Sequence, residues 1–273
     1  MSTSESFSLK SLIPFLLMTF GLSWGILGAY LLFSDAVVSW FGPLSGSHPL
    51  FYLAVYAPAL SALLLIGRKT GFRGIRNFLS RLGHWGLGWK WTTFLLVGLP
   101  IPFFLGAAVE GRLSGINLPA EGLLALCLTM GAMLIKGPVE ELGWRGFALP
   151  LLQRHMPPYI AALIVGLVWA FWHAPAFYLS GTPQSSWSIS AFYFGTVALS
   201  LIVTSLYNHS GGSLLCAGMF HFQMINPLWP DGQPADTLFF ILVAIGVTLL
   251  DYKMMLTGKG AVTQVIPREG GLK

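Results

Sequence analysis

Long apolar runs separated by short polar stretches dominate the hydrophobic pattern of the chain. A helix needs about 20 apolar residues to cross the hydrocarbon core of a bilayer, and several of the runs reach that length. No run shows the ten-residue alternation of apolar and polar positions that a membrane β-barrel needs. The pattern therefore predicts an all-α, polytopic membrane protein with about eight transmembrane helices. The predicted spans cover residues 11–33, 50–67, 91–109, 121–137, 158–180, 187–207, 211–229 and 237–256.

The composition supports a membrane protein over a soluble one. Charged residues make up 9% of the 273 positions and hydrophobic residues 55%, with a mean hydropathy of +0.71. Soluble domains carry about 25% charged residues, so these values exclude a disordered chain and an ordinary cytosolic enzyme. Since no internal repeat is visible, residues 1–273 are interpreted as a single integral membrane domain, with membrane lipid as its surroundings.

The basic residues indicate topology, although a net charge of +5 could suggest nucleic-acid binding. They lie in loops between the apolar runs, and positively charged loops stay in the cytosol. A nucleic-acid partner is therefore not expected. Both termini and the loop between the second and third spans are predicted to be cytoplasmic. That loop carries Arg68, Lys69, Arg73, Arg76, Arg81 and Lys90, whereas the other side receives Asp35, Glu110, Glu121, Asp231 and Asp236.

Three segments carry ionisable residues at membrane depth, where each costs at least ~2.5–3.5 kcal/mol. The first contains Glu140, Glu141 and Arg145, and the others contain His173 and His221. Counting from the cytoplasmic ends at a rise of 1.5 Å per residue places all three segments at a broadly similar depth. We therefore expect these side chains to meet inside the bundle.

Their spacing suggests different tasks for the two glutamates. Glu141 and Arg145 are four residues apart with the acid first, the favourable order for a helical ion pair. Glu140 points about 100° away and is predicted to face a cavity as a general base. A purely structural ion network is one alternative. A zinc ion held by Glu140, His173 and His221 is another, although the chain has no His-Glu-x-x-His motif.

The ordered motifs resemble a known family. Glu140-Glu141-x-x-x-Arg145, then an aromatic-x-x-x-His motif ending at His173, then His221 with a nearby asparagine are similar to the CPBP family. These are the CAAX-protease and bacteriocin-processing (Abi) intramembrane endopeptidases, among them the type II CAAX prenyl endopeptidases. The resemblance covers about residues 121–230.

The resemblance implies eight helices around a polar cavity that opens toward the cytosol. It implies hydrolysis of a membrane-associated peptide or protein, prenylated in the case of the type II enzymes, without a cofactor. By this analogy Glu140 activates a water molecule and His173 positions it. His221 and Asn226 stabilise the oxyanion, and Glu141 and Arg145 support the site.

Two departures from the family motifs leave other functions open. Trp169 stands where a phenylalanine is usual, and Ile225 takes the usual asparagine position, with Asn226 one residue later. On a regular helix that shift rotates the side chain by about 100°. A non-catalytic membrane scaffold or immunity-type relative is therefore a second hypothesis. A proton-coupled transporter is a third, which the absence of repeat symmetry disfavours.

Overall fold

The apolar runs form helices. The computed structural model describes residues 7–113 and 122–267, and within these ranges it contains helices and turns but no β-strand. Two π-helical turns, Phe94–Gly98 and Trp144–Ala148, connect α5 to α6 and α8 to α9. The α-helices are α1 (Leu12–Leu32), α2 (Ser34–Phe41), α3 (Pro49–Val55), α4 (Ala57–Leu79), α5 (Trp89–Thr93), α6 (Ile101–Val109), α7 (Leu123–Lys136), α8 (Glu140–Gly143), α9 (Leu149–Gln153), α10 (Pro158–Trp172), α11 (Ile189–His209), α12 (Leu214–Met224), α13 (Asp236–Leu250) and α14 (Tyr252–Thr257).

The predicted class of an all-α, integral multi-pass membrane protein is confirmed, but the count of eight spans is not. Within the described residues, five helices are long and apolar enough to cross a membrane, and a sixth span results if the bent pair α3–α4 is counted. The remaining apolar helices, α12 and α13, have 11 and 15 residues. Both are shorter than the roughly 20 residues of a full span. That residues 1–273 form a single domain stays a prediction.

One end of the bundle gathers both ends of the described chain. Arg154 donates to the backbone carbonyl oxygens of Phe7 and Thr263. The buried guanidinium of Arg81 donates to the carbonyl of Val265. We call this end the terminal end. It comprises residues 7–11, 80–90, 154–157, 208–213 and 258–267.

The opposite end is made of loops and the short helix α2. The backbone N–H of Gly46 donates to the carbonyl of Gly181 at 3.2 Å, and Arg112 pairs with Asp231 at 3.0 Å. These contacts join loops that come from distant parts of the chain. We call this end the loop end. It comprises residues 33–48, 110–113, 179–188 and 226–235.

Small residues allow the central helices to approach closely, as is usual in membrane bundles. A Cβ added at Gly166 of α10 would lie 2.8 Å from the Cβ of Ser200 on α11. At Gly143, the last residue of α8, an added Cβ would lie 2.5 Å from the Cβ of Pro58 and 2.6 Å from the Pro58 carbonyl oxygen. The glutamates of α8 are thus held against the start of α4 by a contact between backbones.

We expect Gly143→Ala to lower the thermal unfolding temperature of the purified protein. The new methyl group would meet backbone atoms that cannot rotate away, and overpacking of this kind costs about 1–3 kcal/mol. Gly131→Ala on α7 is the matched control, because nothing lies within 4 Å of a Cβ built there. The control should be neutral or slightly stabilising. Equal melting of the two variants would contradict the close contact.

Candidate active site

A break in the chain before the two glutamates shapes the site. Helix α7 ends at Lys136, and the backbone N–H of Glu140 bonds to the carbonyl of Gly137 at 3.0 Å, forming a turn from which α8 begins. Gly137 is required sterically, since a Cβ there would lie 2.6 Å from Nε2 of His221. The turn therefore lets the ring of His221 approach the start of α8.

Glu141 is the centre of a fully buried charge cluster. Its carboxylate lies 3.2 Å from a terminal nitrogen of Arg145, and its Oε1 accepts a 2.8 Å hydrogen bond from Nδ1 of His221. Both Glu141 and Arg145 are 0% exposed, and the guanidinium lies 4.5 Å from the ring centre of Trp169. The predicted ion pair is thus present in the structure, and it also orients a histidine on another helix.

Glu140 has a different environment from its neighbour. Nε1 of Trp169 donates to its Oε2 at 2.8 Å, and Nε2 of His221 lies 4.0 Å from its Oε1. The side chain lines a cavity, whereas Glu141 and Arg145 do not. One carboxylate oxygen is therefore held by a neutral donor while the other faces His221 across a wider gap.

His173 lies directly after the last residue of α10, where Pro175 follows in a 3₁₀ turn. Its Nδ1 lies 2.8 Å from the carbonyl oxygen of Trp169. A carbonyl oxygen only accepts hydrogen bonds, so we assign the proton of the neutral ring to Nδ1. Nε2 then carries a lone pair and can accept a hydrogen bond from water.

The cavity brings the predicted site residues together. It has a volume of about 480 Å³, and most of its lining is apolar. Loop-end residues contribute to this lining, whereas no described residue of the terminal end does. The site residues that line it are Glu140, His173, His221 and Asn226, joined by Lys136.

Asn226 reaches the cavity although it is one position late in the motif. Helix α12 ends at Met224, and Ile225 leaves the helical conformation with φ −116° and ψ 14°. The 100° rotation expected on a regular helix therefore does not apply. Oδ1 of Asn226 accepts from the backbone N–H of Leu228 at 3.0 Å, and Nδ2 donates to Gln223 at 3.3 Å. One N–H of the amide remains for a further acceptor.

Two features of the site go beyond what the sequence predicts. The family motif usually has phenylalanine at the position of Trp169. The indole N–H of Trp169 makes a hydrogen bond to Glu140 that phenylalanine cannot make. No role is predicted for Lys136 from the sequence. The signal that marks it is its position, since it is an ionisable residue inside an apolar run, four residues before the acidic pair. Among the described residues, no three His, Cys, Asp or Glu side chains are close enough to share a metal ion.

Comparisons with known proteins agree with the motifs. The family model of the type II CAAX prenyl endopeptidases, Rce1-like, matches residues 122–225, which include Glu140, Glu141, Arg145, His173 and His221. The CAAX prenyl protease 2 of Methanococcus maripaludis is 26% identical over 258 residues, covering 85% of this chain and 90% of that protein. The predicted resemblance is confirmed, and so is the predicted enzyme class, an intramembrane protease.

We expect Glu141→Gln to destabilise the protein more than Glu140→Gln. Removing one partner of a buried ion pair leaves an uncompensated charge and costs roughly 3–5 kcal/mol, which here falls on Arg145. The amide oxygen that Glu140→Gln introduces can still accept from Trp169, so the loss of stability should stay near about 1 kcal/mol. Thermal unfolding of both variants in the same detergent measures the difference. Equal destabilisation would contradict the division between the two carboxylates.

Proposed function

We propose that the chain hydrolyses a peptide bond of a membrane-associated substrate with a water molecule activated by Glu140. One observation carries this proposal: Glu140, His173 and His221 line a single cavity, and each is held by a contact that leaves a reactive atom available. Peptide hydrolysis needs a base, a positioned water molecule and donors for the oxyanion. The lining of the cavity offers one candidate for each of these tasks.

Glu140 and His173 are suited to bind the attacking water. Oε1 of Glu140 and Nε2 of His173 are both acceptors, so the two O–H groups of one water molecule have two partners. As the water oxygen adds to the substrate carbonyl carbon, its proton passes to Glu140. The C–N bond then breaks, and the same proton passes to the leaving amine. Trp169 keeps Glu140 in place throughout, since its hydrogen bond is to the other carboxylate oxygen.

His221 and Asn226 are suited to stabilise the oxyanion. Nδ1 of His221 is engaged by Glu141, so the ring donates from Nε2 when it is protonated on both nitrogens. Asn226 offers its remaining amide N–H. Removing one oxyanion donor typically costs ~100–1,000-fold in kcat.

We propose that the reaction uses no metal or other cofactor. The candidate zinc ligands Glu140, His173 and His221 each have a task in the metal-free mechanism, and among the described residues no three His, Cys, Asp or Glu side chains are close enough to share a metal ion. Cleavage that continues in the presence of a strong chelator supports this assignment. Loss of cleavage on chelation, restored by added zinc, would overturn it.

We propose that the substrate carries a lipid group, specifically a prenyl chain. The apolar lining of the cavity can receive such a chain, and the relative from Methanococcus maripaludis is named for prenylated substrates. Burial of apolar surface contributes roughly 25 cal/mol per Å², so a prenyl chain would supply much of the binding free energy. The apolar residues of the lining include Leu27, Phe51, Val55, Phe103, Met133, Leu199 and Phe240.

We propose that both termini lie in the cytosol, because the terminal end carries five basic residues, whereas among the described residues of the loop end only Arg112 is a lysine or arginine. The five are Lys10, Arg81, Lys90, Arg154 and Lys259. This orientation has a consequence for the cavity. Loop-end residues such as Gln184, Trp187 and Asp231 line it, so the cavity faces away from the termini. It would then open toward the outer side, whereas the family resemblance implied a cytosolic opening. We follow the charge bias, and the labelling experiment below distinguishes the two orientations.

The mechanism predicts that Glu140→Gln lowers the cleavage rate of a prenylated peptide by about 100- to 10,000-fold, the usual contribution of a general base. His173→Ala should lower it by at least about 100-fold, because the water loses an acceptor. Cleavage by purified protein in detergent, followed by mass spectrometry, measures both. The same peptide without its prenyl group should bind more weakly and show a raised KM.

Matched controls remove the same chemical groups outside the cavity. Glu110→Gln and His155→Ala should retain the wild-type rate. Asn226→Asp keeps the acceptor for Leu228 but loses the amide donors, so its rate should fall. Cleavage by Glu140→Gln at the wild-type rate would contradict the mechanism. A wild-type protein that cleaves no peptide would favour the membrane scaffold.

The proposed orientation predicts which engineered cysteine reacts on intact cells. In a Cys127→Ser background, Asp35→Cys at the loop end should react with a membrane-impermeant maleimide. Lys259→Cys at the terminal end should react only after permeabilisation. Cys216 is buried and should stay unlabelled in both. The reverse labelling pattern would place the cavity toward the cytosol.

A further inference from the structure

Lys136 is a cation inside a cavity that is otherwise lined mainly by apolar and acidic side chains. It is the only Lys or Arg among the described residues that line the cavity. The acidic residues of the lining are Glu140, Asp231 and Asp236. A lysine at membrane depth is costly and persists where it faces a polar space or a partner.

The ammonium group is held in place without a carboxylate. Nζ donates to the carbonyl oxygen of Gly46 at 2.7 Å and lies 4.9 Å and 5.8 Å from the ring centres of Phe51 and Tyr52. No carboxylate is found within 4.0 Å of it among the described residues. An ammonium group has three N–H donors, so two remain after the bond to Gly46. The group is therefore fixed by neutral contacts and has donors left for an anion.

We infer that Lys136 binds the free C-terminal carboxylate of the peptide substrate and thereby sets which bond is cleaved. This inference rests on the proposed function. Hydrogen bonds between ionised groups are among the strongest that proteins make, and no carboxylate of the described residues lies close enough to accept from the two remaining N–H donors of Lys136. A substrate carboxylate can accept from them.

The position of Lys136 sets the distance between the carboxylate and the cleaved bond. Lys136 ends α7 and Glu140 begins α8, and because they are four residues apart in the chain, their Cα atoms are at most about 14 Å apart. An extended peptide advances about 3.3–3.6 Å per residue. A substrate whose chain ends a few residues beyond the cleaved bond can therefore reach both groups.

The acids of the cavity reinforce this orientation. Asp236 would repel a carboxylate placed at its part of the lining, whereas Lys136 attracts it. A peptide that enters with its C-terminus toward Lys136 thus has a favourable electrostatic environment, and the reversed peptide does not. Lys136 is in this sense a specificity-determining residue rather than a catalytic one.

The test compares two peptides that differ only at the C-terminus, one with a free carboxylate and one with a carboxamide. Wild-type protein in neutral detergent should cleave the free acid about 10- to 100-fold better in kcat/KM, the range expected for a hydrogen bond to a charged group. In Lys136→Met this ratio should fall to about one. Lys136→Arg should keep most of it, since the charge remains.

Because the ratio is taken within each variant, it does not depend on expression or folding yield. Lys259→Met removes a lysine from the exposed surface of the terminal end and should keep the wild-type ratio. A wild-type ratio near one, or an unchanged ratio in Lys136→Met, would overturn the inference.

Two further outcomes distinguish failure of this inference from failure of the proposed function. If the preference depends on added phosphatidylglycerol and not on the peptide terminus, the anion is a lipid headgroup and the inference is wrong. If neither peptide is cleaved, the proposed function fails. Fluorescence anisotropy then measures binding of the two labelled peptides without cleavage and tests the role of Lys136 separately. Tighter binding of the free acid than of the amide should still require Lys136.

Discussion

The buried pair of Glu141 and Arg145 is the interaction on which the site depends. A guanidinium in this apolar interior needs a counterion, and Glu141 supplies it from one turn earlier on the same segment. The same carboxylate fixes Nδ1 of His221, so one ion pair connects α8 to α12. Because Glu141 compensates the arginine, Glu140 is left without a strong counterion. Glu140 and Glu141 are adjacent but have different environments, because only Glu141 is paired with Arg145.

A second constraint is the interruption of regular helix at each functional segment. Gly137 makes room for the ring of His221, and His173 lies where α10 gives way to a 3₁₀ turn. Ile225 leaves the helical conformation just before Asn226. Irregular backbone at membrane depth is tolerated where it lines a cavity, since its polar groups need partners other than lipid. The prolines and the glycine near the motif residues therefore form the cavity as much as the ionisable groups do.

Much of the fold could be predicted from the sequence, because apolar length and charge bias act locally. The helical class, most span boundaries and the Glu141–Arg145 pair follow from periodicity and spacing. The predicted count of eight spans is not confirmed, since α12 and α13 end earlier than their apolar runs suggest. On a regular helix the spacing would turn Asn226 about 100° away from the motif position, but Ile225 leaves the helical conformation and Asn226 lines the cavity. The bond from Trp169 to Glu140 depends on how two helices pack, which no single segment encodes.

The charges of the cavity also affect which substrates can bind, apart from their part in catalysis. A site in low dielectric holds few charges, so each unpaired one has a strong effect on what can bind. Arg145 is neutralised behind the wall of the cavity, and Asp231 at its rim pairs with Arg112. Among the described residues, neither Glu140 nor Lys136 has an oppositely charged Asp, Glu, Lys or Arg side chain within 4.0 Å. One is acidic and one is basic, and they lie on either side of a single turn. A peptide whose cleaved bond lies near its free C-terminus can satisfy both groups. It presents an electrophilic carbonyl carbon to Glu140 and its terminal carboxylate to Lys136.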